Sequence, residues 1–233
     1  MTGQKEIKIS DIDNLISKGQ FKEALTILDN LSQSKPNNPD LFLMGGNCYG
    51  AIQSFEQAIL CYQEAIKLKP DFSEAHNNIS VYLKEIGEIE KALSHAKKAV
   101  KFKPNFAPAH NNLGVCLYEL GRPKEAELAY KRAIALQPDY ADAHNNIGNI
   151  YKDFGQVDEA IASYKKAIEI NPNTFGAYDN LGATYSELGK NDEANEFYSK
   201  ARGGNKDFEQ GISFFGEGNF TEAIKFFERS YLI

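Results

Sequence analysis

The sequence predicts an all-α protein, a right-handed superhelical solenoid of helix-turn-helix units. Three observations carry that expectation. The chain repeats with a period of 34 residues, so that FAPAHNNLGVCLYELGRPKEAELAYKRAIALQPDY aligns with YADAHNNIGNIYKDFGQVDEAIASYKKAIEINPNT. A glycine recurs at one place in the unit and an alanine follows it five residues later. A proline closes the unit. A repeat of this kind needs no thick globular core, because each unit buries its apolar face against its neighbours.

The units begin near Lys5, Pro39, Ser73, Ala107, Ala141 and Phe175. The glycine falls at Gly19, Gly87, Gly121, Gly155 and Gly189, with Gln53 as the exception. It ends a first helix, where the chain must turn left-handed to stop. The alanines, at Ala24, Ala58, Ala92, Ala126, Ala160 and Ala194, let the two helices of a unit approach closely. Between glycine and proline the apolar residues keep helical spacing, as at Ala126, Tyr130, Ala133 and Leu136. Pro36, Pro70, Pro104, Pro138 and Pro172 then close the second helix, since proline lacks an amide proton and disfavours helix before it. Tyr62, Tyr130, Tyr164 and Tyr198 are expected to fill the space between adjacent units.

Residues 1–202 thus read as six tandem units. After Ala201 the register breaks at Arg202, Gly203, Gly204 and Asn205, and the closing proline is missing. An irregular seventh unit over residues 203–233 resumes at Gly218, 29 residues after Gly189. Phe226, Phe227, Tyr231, Leu232 and Ile233 would leave an apolar face there. The expectations are that more chain follows or that a second copy covers this end, giving self-association through the last helix.

Composition narrows the function. Apolar residues make up 42% and charged residues 25% of the 233, as in a folded soluble protein. A net charge of −6 argues against nucleic acid and against an anionic membrane as partners. Lys97, Lys98, Lys101 and Lys103 form a local basic run that reads as a solvated helix face. Cys48, Cys61 and Cys116 lack metal-type spacing and fit a reducing compartment, and the opening MTGQKEIKIS holds no secretion signal. The expected location is the cytoplasm.

No catalytic group, cofactor or metal is expected. Met44-Gly45-Gly46 lies within a repeat and follows no strand, so it is no phosphate loop. Asp192 and Glu193 sit where acids favour a helix N-terminus. His76, His110 and His144 recur in register on helices about 8–10 Å apart, too far to share a zinc at about 2 Å per ligand. They read as substitutes for an aromatic packing residue. His95 stands in a second helix with no evident partner.

The asparagines are the sharper signal. Asn78, Asn112, Asn146 and Asn180 recur mid-helix, preceded by Asn77, Asn111, Asn145 and, in the fourth case, Asp179. Asparagine is a poor residue for a helix interior. Its carboxamide both donates and accepts, so it can hold a peptide backbone without reading side chains. Rungs about 10 Å apart match three residues of extended chain at about 3.3 Å each. The alternative is that these amides are solvated or bond to neighbouring rungs. Glu74, Lys84, Glu85, Tyr118, Glu119, Asn149, Lys152, Asp153, Ser186 and Glu187 are expected on the same inner face. That lining is polar and somewhat acidic, suited to a polar unstructured segment or one with scattered lysines or arginines. Toward the N-terminus Met44 and Ser10 replace the asparagine, so the ladder is confined to the middle units.

The pattern resembles the tetratricopeptide repeat from Lys5 to about Arg202. The Ala-His-Asn-Asn-Leu/Ile-Gly subtype resembles the repeats in front of the catalytic domain of O-linked N-acetylglucosamine transferases. The tryptophan expected early in the unit is replaced by Phe42, His76, His110, His144 and Tyr178. The resemblance implies a protein-protein interaction scaffold, and it implies that Asn78, Asn112, Asn146 and Asn180 grip extended polypeptide along a concave face. The lysine- and arginine-rich clamp with which this family binds chaperone C-termini is not evident. A second implied role is the substrate-recruiting part of a larger transferase, with its catalytic domain beyond Ile233.

Overall fold

The structure, a computed structural model, describes residues 9–202 together with residues 221–222 and 224–225. The described residues form twelve helices: α1 Ile9–Ser17, α2 Phe21–Ser34, α3 Pro39–Ala51, α4 Phe55–Leu68, α5 Ser73–Glu85, α6 Ile89–Phe102, α7 Ala107–Glu119, α8 Pro123–Leu136, α9 Ala141–Asp153, α10 Val157–Ile170, α11 Phe175–Glu187 and α12 Asn191–Arg202. The fold is an all-α helical-repeat solenoid. Two compact units divide the chain, Met1–Gln137 and Pro138–Ile233. The expected start at Lys5, the glycine pair at Gly203-Gly204, Gly218 and the apolar residues from Phe226 to Ile233 lie outside the described residues.

Each odd-numbered helix pairs with the even-numbered helix that follows it. In the first unit α2, α4 and α6 also pack on the next first helix, and α5 touches α7. In the second unit α10 packs on α11, and α9 touches α11. The turn inside each pair follows the glycine. At the end of α7, the Gly121 amide donates to the Tyr118 carbonyl and the Arg122 amide returns to the Leu117 carbonyl, both at 2.9 Å. Gly121 has φ of 69°, which L-residues resist. Gln53 adopts φ of 59° at the equivalent place, at a cost of about 1–2 kcal/mol relative to glycine. The second helices end in an extended residue before proline, as at Lys103 with φ −135° and ψ 82°.

The tyrosines do not chiefly fill the space between units; they fill a notch within one. A Cβ placed on Gly46 would lie 2.4 Å from the Tyr62 ring, and one on Gly114 would lie 2.5 Å from Tyr130. Gly148 meets Tyr164 at 2.5 Å and Gly182 meets Tyr198 at 2.9 Å in the same way. The first helix thus gives up its side chain where the second helix inserts a ring. Tyr62, Tyr130 and Tyr164 are buried. Tyr62 stacks in addition on Tyr82 of the next repeat, with centroids 6.0 Å apart. Where the register has no tyrosine, both partners change together. The first repeat pairs Ile12 with Leu28 and the third pairs Ser80 with Ala96, and all four are buried.

The histidines bond as well as pack. His76, His110 and His144 each turn Nε2 toward the carbonyl of the preceding proline, Pro70, Pro104 and Pro138, at 3.1, 2.8 and 2.9 Å. A carbonyl only accepts, so Nε2 carries the proton. His95 does have a partner: its Nδ1 lies 3.0 Å from Nδ1 of His76. With the His76 proton on Nε2, His95 donates and His76 accepts. The expectation of a lone His95 fails because residues 19 apart on α5 and α6 meet across the hairpin. Burial holds the His76 ring below the usual range, against the bond that it donates to the Pro70 carbonyl, and Lys98 adds to the effect. Burial, then His76 and Lys98, push His95 down to about 4.

Two outcomes follow from this packing. Gly114→Ser alone should destabilise the chain by about 1–3 kcal/mol through overpacking, and Tyr130→Ala alone by about 3–5 kcal/mol. The double variant copies the third repeat, so urea unfolding should show a loss smaller than the sum by about 1 kcal/mol or more. The histidine pair contributes stability in its neutral form. That contribution is complete above the unfolded value of 6.5 and is lost as pH falls toward the folded value of about 4. Urea midpoints measured across that window should fall more steeply for the wild type than for His95→Ala.

Candidate functional site

The recurrent asparagines come together on the first helices. In the first unit they form one chain of carboxamides. Asn112 Nδ2 donates to Asn77 Oδ1 at 2.9 Å, and Asn77 Nδ2 donates to Asn78 Oδ1 at 3.2 Å. Asn78 Nδ2 then donates to Asn47 Oδ1 at 3.0 Å. Asn111 Nδ2 feeds the chain from α7, 3.5 Å from Asn112 Oδ1. In the second unit Asn180 Nδ2 donates to Asn145 Oδ1 at 3.0 Å. Asn146 holds the ladder place on α9, half-buried and partnered. Asp179 is exposed.

The bonds between rungs weighed as an alternative are therefore present at Asn78, Asn112 and Asn180. They give the mid-helix asparagines a folding role, tying first helices together. Asn77 and Asn111 are 6% and 5% exposed and work from behind the surface. Asn78, Asn112 and Asn180 remain half-buried, at the surface. A carboxamide offers two N–H groups and two oxygen lone pairs, so a rung with one N–H committed keeps capacity for a ligand.

Asn47 was not foreseen as part of this row. It stands on α3, exposed, and its Oδ1 also accepts from the Tyr62 hydroxyl at 2.8 Å. Tyr164 makes the same bond to Asn149 Oδ1 at 2.8 Å. The sequence signal was an asparagine 15 residues before a notch tyrosine in both repeats. Asn78 turns to Asn47 because Leu43 occupies the place that Asn77 fills for Asn112.

The surrounding charges are uneven. The first helices carry ten acidic residues and two lysines, a balance of −8, whereas the second helices carry thirteen of each sign. Both lysines are paired, Lys84 with Glu85 at 2.6 Å and Lys152 with Glu187 at 2.8 Å. Glu74 bonds Lys103 at 2.5 Å. Glu85, Glu119, Asp153, Ser186 and Glu187 are exposed, while Tyr118 is half-buried. Burial is the leading cause that pushes the Cys61 and Cys116 thiols up to about 11, so neither is a ready nucleophile. Among the described residues no three His, Cys, Asp or Glu side chains group to hold a metal ion. Among them also, no helix is long and apolar enough to cross a membrane.

Comparisons with known proteins place the fold in context. Patterns described as the TPR repeat match residues 46–85 and 148–189. Others described as the tetratricopeptide repeat match residues 73–106, 107–140 and 129–162. A probable UDP-N-acetylglucosamine–peptide N-acetylglucosaminyltransferase SEC of Arabidopsis thaliana is 35% identical over 90 residues. That match takes in 39% of this chain and only 9% of the plant protein's length. The crystal structure of MamA is 32% identical over 67% of this chain and 91% of its own, with a TM-score of 0.56. YrrB, described as a TPR protein with an unusual peptide-binding site, shares the fold at 19% identity and a TM-score of 0.57, over 85% of this chain and 96% of its own. With its repeats matched in sequence, and with MamA at 32% identity spanned over 91% of its length, the chain belongs to the tetratricopeptide repeat family.

Proposed function

We propose that this chain is a non-catalytic interaction scaffold that holds extended polypeptide along the face that the first helices line within each compact unit. The observation that carries the reading is the half-used carboxamide. Asn78, Asn112 and Asn180 each commit one N–H to a neighbouring asparagine, and that bond orients the rest of the group toward a ligand. Each rung can then donate to a peptide carbonyl or accept from a peptide N–H. Asn146 takes the same place on α9. Asn77, Asn111 and Asn145 brace the rungs, and Asp179 adds an exposed acceptor. The first-helix charge of −8 disfavours phosphates, so nucleic acid and anionic membrane are poor ligands. A polar segment or one bearing lysine and arginine suits it. Three free thiols, two of them buried, fit a reducing compartment such as the cytoplasm.

A second reading is favoured by one observation, the identity to the plant glycosyltransferase over its repeats. On that reading the chain recruits substrate for a transferase domain encoded in the same gene. An open reading frame continuing past Ile233 into such a domain supports it, and a stop codon at that point removes it.

The scaffold itself is tested with a peptide selected from a random display library against the intact chain. Asn78→Ala combined with Asn112→Ala should weaken that peptide by roughly tenfold or more in a calorimetric titration. Far-UV circular dichroism should show the helical content retained. Unchanged affinity in the folded variant rejects the ladder.

A further inference from the structure

We propose that Asn47 and Asn149 are further gripping residues, donor groups for a partner's backbone carbonyls that buried tyrosine hydroxyls hold in place. The inference rests on the preceding reading and extends it to two positions outside the ladder.

Hydrogen-bond accounting fixes the orientation at Asn47. Asn78 Oδ1 is occupied by Asn77 Nδ2, so the Asn78 group that reaches Asn47 at 3.0 Å is its N–H. It needs an acceptor, which makes the facing atom of Asn47 the oxygen. The Tyr62 hydroxyl meets the same oxygen at 2.8 Å and therefore donates. Both lone pairs of Asn47 Oδ1 are then in use. Its nitrogen keeps two N–H donors at an exposed residue, with no partner among the described residues. Asn149 repeats the tyrosine bond in the second unit, with the Tyr164 hydroxyl at 2.8 Å from Oδ1.

The tyrosines are suited to this work. Tyr62 and Tyr164 are each 0% exposed, seated in the notches of Gly46 and Gly148, so their hydroxyls cannot swing away. A carboxamide held by its oxygen presents its nitrogen. A partner then meets a donor whose rotational entropy is already spent. The chemistry differs from that of the ladder. Ladder asparagines can both donate and accept, whereas Asn47, with both oxygen lone pairs in use, only donates outward; Asn149 keeps one lone pair beside its two N–H groups, and the group that both donors take is a carbonyl oxygen. Asn149 lies three residues beyond Asn146 on α9, hence on the same helix face. Asn47 shares the face of Asn78 through their bond. Asp13, Val81, Val115 and Ala183 fill the equivalent places elsewhere among the described residues, and none of them carries an amide, so there each compact unit holds one such donor.

Val115 also supplies the test, because Tyr130 is buried in the same repeat beside an apolar residue at that place. The double variant Asn47→Val, Asn149→Val should fold. Titrated with the library-selected peptide described above, it should bind severalfold more weakly than the wild type. Tyr62→Phe combined with Tyr164→Phe keeps the rings but frees the amides to rotate, and should show a smaller loss with little change in helical content. If the valine pair binds as tightly as the wild type while Asn78→Ala with Asn112→Ala still weakens binding, the inference falls and the ladder stands. If neither variant changes the affinity, the ladder reading falls and this inference falls with it.

Discussion

A first helix that surrenders a side chain so that a second helix can bury a ring is the constraint on which this structure depends. Gly46, Gly114, Gly148 and Gly182 leave notches, and Tyr62, Tyr130, Tyr164 and Tyr198 occupy them. Where the ring is lost the notch closes too, with Ser80 opposite Ala96 and Ile12 opposite Leu28. Interiors are packed to crystal density, so volume on one helix is set by volume on the other. The hairpin that results fixes where every first-helix side chain points. It also fixes the tyrosine hydroxyls, two of which emerge from the notch to bond an asparagine.

On the proposed function, the asparagines then serve two ends at once. An amide in mid-helix costs helix propensity, and the bond from Asn112 to Asn77 or from Asn180 to Asn145 offsets part of that cost. A tied amide is also an aimed amide. Hydrogen bonds between side chains of adjacent repeats restrict each rung to one orientation before any partner arrives. Preorganisation of this sort lowers the entropy lost on binding. On the proposed function, folding and recognition therefore do not compete for these residues. On that reading each group divides its hydrogen-bonding capacity between the two.

Much of this was legible in the sequence, because a period exposes what single residues hide. Glycine and proline marked the helix ends, and the first helices from Pro39 onward begin at the residues the register named. The place of the tyrosines between units holds for Tyr62, which stacks on Tyr82, but the notch within each hairpin was missed, since the register shows that Gly114 and Tyr130 recur together but not that they touch. His95 was isolated for a similar reason. Its partner, His76, lies on the other helix of the hairpin, and a period of 34 compares a repeat with its neighbours and not with itself. Asn47 escaped notice because it belongs to no four-membered row. Only its distance to Tyr62 and Asn78 reveals its part.

The central claim is that each ladder carboxamide is half committed to the protein and half reserved for a partner. Nuclear magnetic resonance of the side-chain amides addresses it directly, since slow rotation about the C–N bond keeps the two protons of one group distinct. The temperature coefficients of the two Nδ2 protons of Asn112, and likewise of Asn180, are the quantity to measure. The account requires one bonded and one solvent-like proton in the free chain, with the second becoming bonded when a peptide is added. Two bonded protons without ligand, or a solvent-like proton that peptide leaves unchanged, would contradict it.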